Sequence, residues 1–148
     1  MGGNQEGPAL REATAEVRRC ADAMSAQAAR LQAAIATLGV EAALREGVDE
    51  LCQHVHDVAG RVVFELALME DELARRRAGH LPPLQRLIGL EASMMGALTP
   101  IADFAERLEE AAVADPARFA AYVRVVETAG AMLEALGRVQ ASFERIGR

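Results

Sequence analysis

A chain of 148 residues that is 51% hydrophobic can bury a real core in one domain and is too apolar to stay disordered. Its formal net charge of -6 disfavours nucleic acid as a partner, because phosphate binding needs clustered Lys and Arg. Aromatic residues are only 3% and Trp is absent, so Leu, Val, Ile, Met and Ala must build the core. That palette suits helix-on-helix packing and fits strands poorly. No apolar run approaches the roughly 18 residues that read as a membrane span. Met1 to Gly7 is polar and glycine-rich and lacks a signal peptide's apolar core. Glu6 also stands where a myristoylation pattern needs Ser or Thr. These features lead to the expectation of a soluble, cytoplasmic protein that does not bind membranes.

The expected fold is all-α, an up-down-up-down antiparallel four-helix bundle preceded by a flexible segment over residues 1–7. The first helix is expected to open at Pro8 and to run to about Leu38. Leu10, Val17, Met24, Leu31 and Leu38 recur in it at intervals of seven, with Ala13, Cys20, Ala28, Ala34 and Ile35 as companions. Gly39 suits a helix end.

The second helix is expected over about 41–78, with Leu44, Val48, Leu51, Val55, Val58, Val62, Leu66, Met69 and Leu73 spaced by threes and fours. No capping residue precedes it, and Asp49 after Gly47 offers a later start, so the first hairpin turns at Gly39 or at Gly47. Its last turn carries Arg75-Arg76-Arg77, which complements the helix dipole. Gly79-His80-Leu81-Pro82-Pro83 is the break that follows.

The third helix is expected over about 84–113, through Leu87, Ile88, Met94, Met95, Leu98, Ile101, Ala105 and Leu108, with a kink at Pro100. The fourth starts on Asp115 as N-cap and Pro116 in the first turn. It continues to about residue 147 through Phe119, Tyr122, Val123, Val126, Met132, Leu133, Leu136, Val139, Phe143 and Ile146.

The stretch where chemistry is hinted at is His56-Asp57-Val58-Ala59-Gly60-Arg61-Val62-Val63, inside the second helix. A glycine in a helix interior costs roughly 1 kcal/mol relative to alanine, so its presence suggests a close approach to the backbone. On a wheel of about 100° per residue, Val48, Leu51, Val55, Val58, Val62 and Leu66 cluster on one side. His56 falls at the edge of that stripe with Gly60 one turn above it. Asp57, Phe64 and Leu68 point the opposite way, and an apolar stripe on a back face marks a second contact or a partner surface.

The pattern His56-Asp57-x-x-Gly60 on a long helix resembles the phosphoacceptor helix of histidine-kinase dimerisation and histidine-phosphotransfer domains. The resemblance implies that His56 accepts and passes on a phosphoryl group and that Asp57 orients the imidazole or acts as base. It also implies docking of a receiver domain near Gly60. Arg61 stands where the family has glutamine, which counts against a phosphatase step. Residues 57–60 are similar to the acid segment of helical-bundle chemotaxis phosphatases, again without the final glutamine. Stand-alone phosphotransfer bundles share the glycine but carry lysine where this chain has Ala59. The likeness covers about 20 residues of one helix, and no ATP-binding domain is expected after it.

Read as structure alone, His56 is a flank histidine, Asp57 a solvated acid and Gly60 a close helix–helix contact. The remaining candidates carry less. Arg75 and His80 match the R-x4-H core of HEPN-type ribonucleases, but Gly79 and Pro82 take His80 off the helix. His54 and His56 diverge too far to chelate one ion, and no Glu-x-x-His pair occurs, so neither metal nor cofactor is expected. Cys20 and Cys52 lack ligand spacing and read as small buried hydrophobes. Glu91 interrupts the third helix's apolar stripe and calls for a partner, with Arg138 at the right height for an ion pair. Met94-Met95 reads as core filler.

Two functions follow. One is a signalling bundle that carries out histidine phosphotransfer or docks a receiver domain through His56. The other is a non-catalytic interaction bundle, an adaptor, chaperone-like protein or scaffold, that uses the Phe64–Leu68 stripe; Gly60, Arg61, Phe64 and Leu68 are the residues expected to face a partner. The apolar back face also raises the expectation of a homodimer.

Overall fold

The computed structural model describes residues 2–75, 84–112 and 114–146; of residues 2–6 and 73–75 only the backbone is considered. Four helices fill these segments: α1 (Gly2–Thr37), α2 (Ala42–Arg75), α3 (Leu84–Ala111) and α4 (Pro116–Ile146). Each runs antiparallel to its sequence neighbours, and no strand occurs among the described residues. The protein is an all-α four-helix bundle.

Several boundaries have visible causes. The α4 start is capped as its sequence dictates, with Asp115 Oδ1 accepting the Ala117 backbone N–H at 3.0 Å. The first hairpin turns at Gly39, since α2 is already helical from Ala42. Gly47 therefore lies inside α2, where its Cα side faces the Phe104 ring of α3; a Cβ there would meet Phe104 Cε2 at 3.5 Å. α1 begins at Gly2, so Pro8 stands inside the helix rather than in its first turn. α3 likewise runs through Pro100 and ends at Ala111, slightly earlier than the periodicity indicates. The Gly79–Pro83 break, Arg76, Arg77 and His80 lie outside the described residues, as does the Arg75 side chain.

α1 is the centre of the packing and lies against both α4 and α2, while α3 packs on α4 and more thinly on α2. α2 and α4 occupy opposite corners, and their backbones do not approach closely among the described residues. The core draws on all four helices, including Val17, Met24 and Ile35 of α1, Val55 and Leu66 of α2, Met94 and Ile101 of α3, and Met132 and Leu136 of α4. Cys20 and Cys52 are buried free thiols, as small hydrophobes would be.

The α1–α4 contact rests on small side chains. Ala121, Thr128, Ala135 and Ser142 recur every seven residues on the buried face of α4, interleaved with Val125, Met132 and Val139. Ala13, Cys20, Ala21 and Ala28 are the buried small residues of α1. Such residues let two helix backbones come close over many turns. The buried hydroxyls are satisfied by their own helix: Thr128 Oγ1 donates to the Arg124 carbonyl at 2.8 Å and Ser142 Oγ to that of Val139 at 2.6 Å.

This arrangement corrects part of the expected core. Phe119, Val126 and Leu133 of α4 and Ile88 of α3 are exposed, with Phe119 at 56% and Leu133 at 54%. α4 is apolar on two faces, and the face lined by small residues wins the interior because it runs unbroken along the whole helix. Phe119, Val126 and Leu133 stand outside it, while Met132 and Leu136 are buried on the inner face. Glu91 is also paired differently: its Oε1 accepts from Gln140 Nε2 of α4 at 2.9 Å. Arg138 instead reaches Glu134 one turn back on its own helix, at 3.5 Å.

Candidate functional site

The octet of α2 lies on the bundle edge facing α1. There the His56 ring is half-buried and bridges two side chains of α1 that are seven residues apart. Its Nδ1 lies 2.8 Å from Ser25 Oγ, and its Nε2 lies 3.2 Å from Gln32 Oε1. An amide oxygen can only accept, so Nε2–H donates to Gln32. In the neutral tautomer Nδ1 is then the acceptor for the Ser25 hydroxyl, so that both ring nitrogens are engaged. Ser25 and Gln32 stand two helical turns apart, about 10 Å of rise, and His56 reaches between them like a rung.

Asp57, the neighbouring acid, takes no part in this bridge. It is exposed, and its Oδ1 accepts from Gln53 Nε2 at 3.0 Å, one turn back on the same helix. Roughly 100° of helical rotation separates adjacent residues, which turns Asp57 towards solvent while His56 faces the seam. The two residues that the resemblance would pair as acceptor and acid are therefore not brought together.

Gly60 is exposed, and a Cβ built on it would meet nothing within 4 Å. It is not a close helix–helix contact within the chain. Arg61 is exposed beside it. One turn further, Phe64 is 63% exposed and Leu68 52%, so α2 presents two large apolar side chains to solvent. Gly60, Phe64 and Leu68 thus form one outward strip, open at its glycine end.

The thiols offer no reactive group. Burial pushes both Cys20 and Cys52 up to about 12, far from the range in which a thiolate could act as nucleophile or ligand. No cluster of three or more His, Cys, Asp or Glu that could hold a metal ion occurs among the described residues. No described helix is long and apolar enough to cross a membrane.

Two elements of this geometry lay beyond the sequence reading: Ser25 and Gln32 as partners of His56, and the exposed Phe119, Val126 and Leu133 on α4. The first pair had a faint signal, since both polar residues fall seven apart beside the heptad stripe of α1. The second had a stronger one, because α4 carries more large apolar residues than one helical face can bury. Compared with protein-family models, curated proteins and solved structures, the chain has no match.

Proposed function

We propose that the protein is a non-catalytic protein-interaction bundle, an adaptor or scaffold that engages another protein through the outward strip of α2. The observation that carries this reading is the exposure of Phe64 and Leu68 on consecutive turns, beside the open backbone of Gly60. Large apolar side chains held out by a rigid helix are suited to anchor in a partner's pocket, and the glycine lets the partner approach the helix axis closely. Arg61 at the rim adds a charged contact that orients the partner. The seam residues fit the same reading: His56 ties α2 to α1 and so keeps the strip rigid.

A photo-crosslinker placed at Leu68 tests this in the cell of origin. It should yield a defined adduct with another protein, lost with Phe64→Asp and retained with Glu134→Gln, an exposed site on α4 at the opposite corner. An absence of adducts at Leu68 would overturn the reading.

Histidine phosphotransfer, or receiver-domain docking through His56 and Asp57, is the second reading, and the open space above Gly60 favours it. Phosphoryl transfer would require His56 Nε2 to shed its proton and leave Gln32 before it could attack phosphorus. Acid-labile phosphate on His56 after incubation with phosphorylated receiver domains, abolished in His56→Gln, would replace the first reading with this one.

A further inference from the structure

The four helices share the chain's charge unequally. α2 carries eight Asp or Glu against three Arg, so it holds most of the formal net charge of -6. α1 has four of each sign, and α4 has three Asp or Glu against four Arg. The excess on α2 runs in line with its outward strip. At about 100° per residue, Glu46, Glu50, Asp57, Phe64, Leu68 and Asp71 fall within about 60° of one another, and all six are exposed. Phe64 and Leu68 therefore stand between carboxylates, three towards the start of the helix and one towards its end.

The chain does not neutralise the longer arm of this row. Among the described residues no ion pair reaches Glu46, Glu50 or Asp57. Asp57 accepts only from the neutral amide of Gln53, at 3.0 Å. Arg18 of α1 is committed to Glu70, at 2.7 Å, and Arg107 of α3 lies over the Phe104 ring, 5.9 Å from its centre. Arg61 stands beside the row as a single exposed cation.

We propose, resting on the strip as the interaction surface, that its partner is a basic amphipathic helix of another protein. The partner's apolar stripe covers Phe64 and Leu68, whose spacing of four suits side chains that enter the gaps of a facing helix. Its Lys or Arg residues reach Asp57 and Glu50, about 10 Å and about 21 Å along α2 from Phe64. Arg61 takes a single acidic residue of the partner and so sets its direction. Carboxylates in this position speed the approach of a cationic partner and reject anionic surfaces.

The test uses the full chain and two labelled peptides of Leu and Lys, each about 18 residues or 27 Å of helix, followed by fluorescence anisotropy. In one peptide Leu occupies a single helical face; the other has the same composition with Leu scattered around the helix. The amphipathic peptide should bind about tenfold or more tightly than the scattered one, and binding should fall as salt is raised. Phe64→Asp adds a carboxylate, so capture by charge alone would strengthen, whereas anchoring on the strip predicts a loss of about tenfold or more. Glu50→Lys combined with Asp57→Lys should weaken binding to a similar extent, and that variant should prefer a peptide with Glu in place of Lys. Glu134→Lys on α4 should change nothing, and thermal melts should show every variant folded. Equal binding of the two peptides, or an equal loss with Glu134→Lys, would overturn the proposal by reducing it to undirected charge. So would a wild type that dimerises in solution and becomes monomeric with Phe64→Asp, since a second copy would then cover the strip. A Leu/Lys helix that fails to bind while Leu68 still gives its cross-linked adduct would overturn the basic partner alone; loss of the adduct as well would overturn the strip's role with it.

Discussion

α2 and α4 both lean on α1 from opposite corners of the bundle, and they do so with different chemistry. On the α2 side a polar bridge, Ser25–His56–Gln32, closes the rim of the seam, and the large β-branched residues Val48, Val55 and Val62 fill its interior. On the α4 side the seam is lined by small residues, with Ala121, Thr128, Ala135 and Ser142 recurring every seven residues. The α2 pattern fixes orientation through direction-dependent hydrogen bonds. The α4 pattern fixes distance through side-chain volume, with Phe119, Val126 and Leu133 left on the outer face. Whether a large apolar residue lies inside or outside is thus decided by the continuity of the competing stripe, not by the residue's size.

Neighbouring residues of α4 give the largest expected contrast. Met132 is fully buried and Leu133 is 54% exposed. Met132→Ala should cost about 2–5 kcal/mol through lost burial and a residual cavity. Leu133→Ala in dilute, monomeric protein should stay within about 0.5 kcal/mol. Chemical denaturation of both variants reads the difference directly, and equal losses would mean that α4 is rotated from the orientation described. In the same seam Ala135→Leu should cost about 1–3 kcal/mol, because close backbones have no room for the added volume.

The polar bridge predicts a smaller and more local effect. His56→Ala removes the partner of two half-buried groups, and the loss of two net hydrogen bonds amounts to roughly 1–3 kcal/mol. Asp57→Ala touches one exposed intrahelical contact and should change stability by no more than about 0.5 kcal/mol. Melts of the two single variants separate a rung from a surface acid. A silent His56→Ala would show that the bridge contributes nothing to the α1–α2 seam.

The buried thiols respond to pH on the alkaline side. Both are raised to about 12 by desolvation, above the roughly 8.5 of a thiol in an unfolded chain. The unfolded state therefore releases protons first, so their contribution to stability is complete below the unfolded value and is lost as pH rises through about 12. Thiol labelling at pH 8 should accordingly be slow in the native protein and fast in denaturant, at both Cys20 and Cys52. Fast native labelling at either position would contradict its burial.

The four helices were legible because their signals are local. Heptad spacing in α1, the Asp115–Pro116 start of α4 and Gly39 between α1 and α2 each act within a few residues, and each holds in the structure. What the sequence could not rank was two apolar faces on the same helix, since the choice for α4 depends on the shape that α1 offers. The partners of His56 were hidden for a related reason: Ser25 and Gln32 are distant in sequence, and only the antiparallel register of α1 and α2 brings them to one ring. Glu91 shows the limit of counting heights. Arg138 and Gln140 are both within reach in register, and side-chain direction gives the contact to Gln140.

The smallest expected effect has the opposite sign. Gly60 on α2 and Gly137 on α4 both lie on outward faces, and a Cβ at either meets nothing within 4 Å. Alanine there should gain helix propensity of up to about 1 kcal/mol and encounter no clash. For a domain of this size that corresponds to a rise in melting temperature of about 2–4 °C. Two glycines that lower stability without serving the chain's own packing have a use only if something outside approaches the helix there. Gly60→Ala should therefore raise the melting temperature while weakening capture of the partner by the α2 strip. A variant that is more stable and binds equally well would mean that the Gly60 end of the strip is not part of the contact, and would narrow the surface to Phe64 and Leu68.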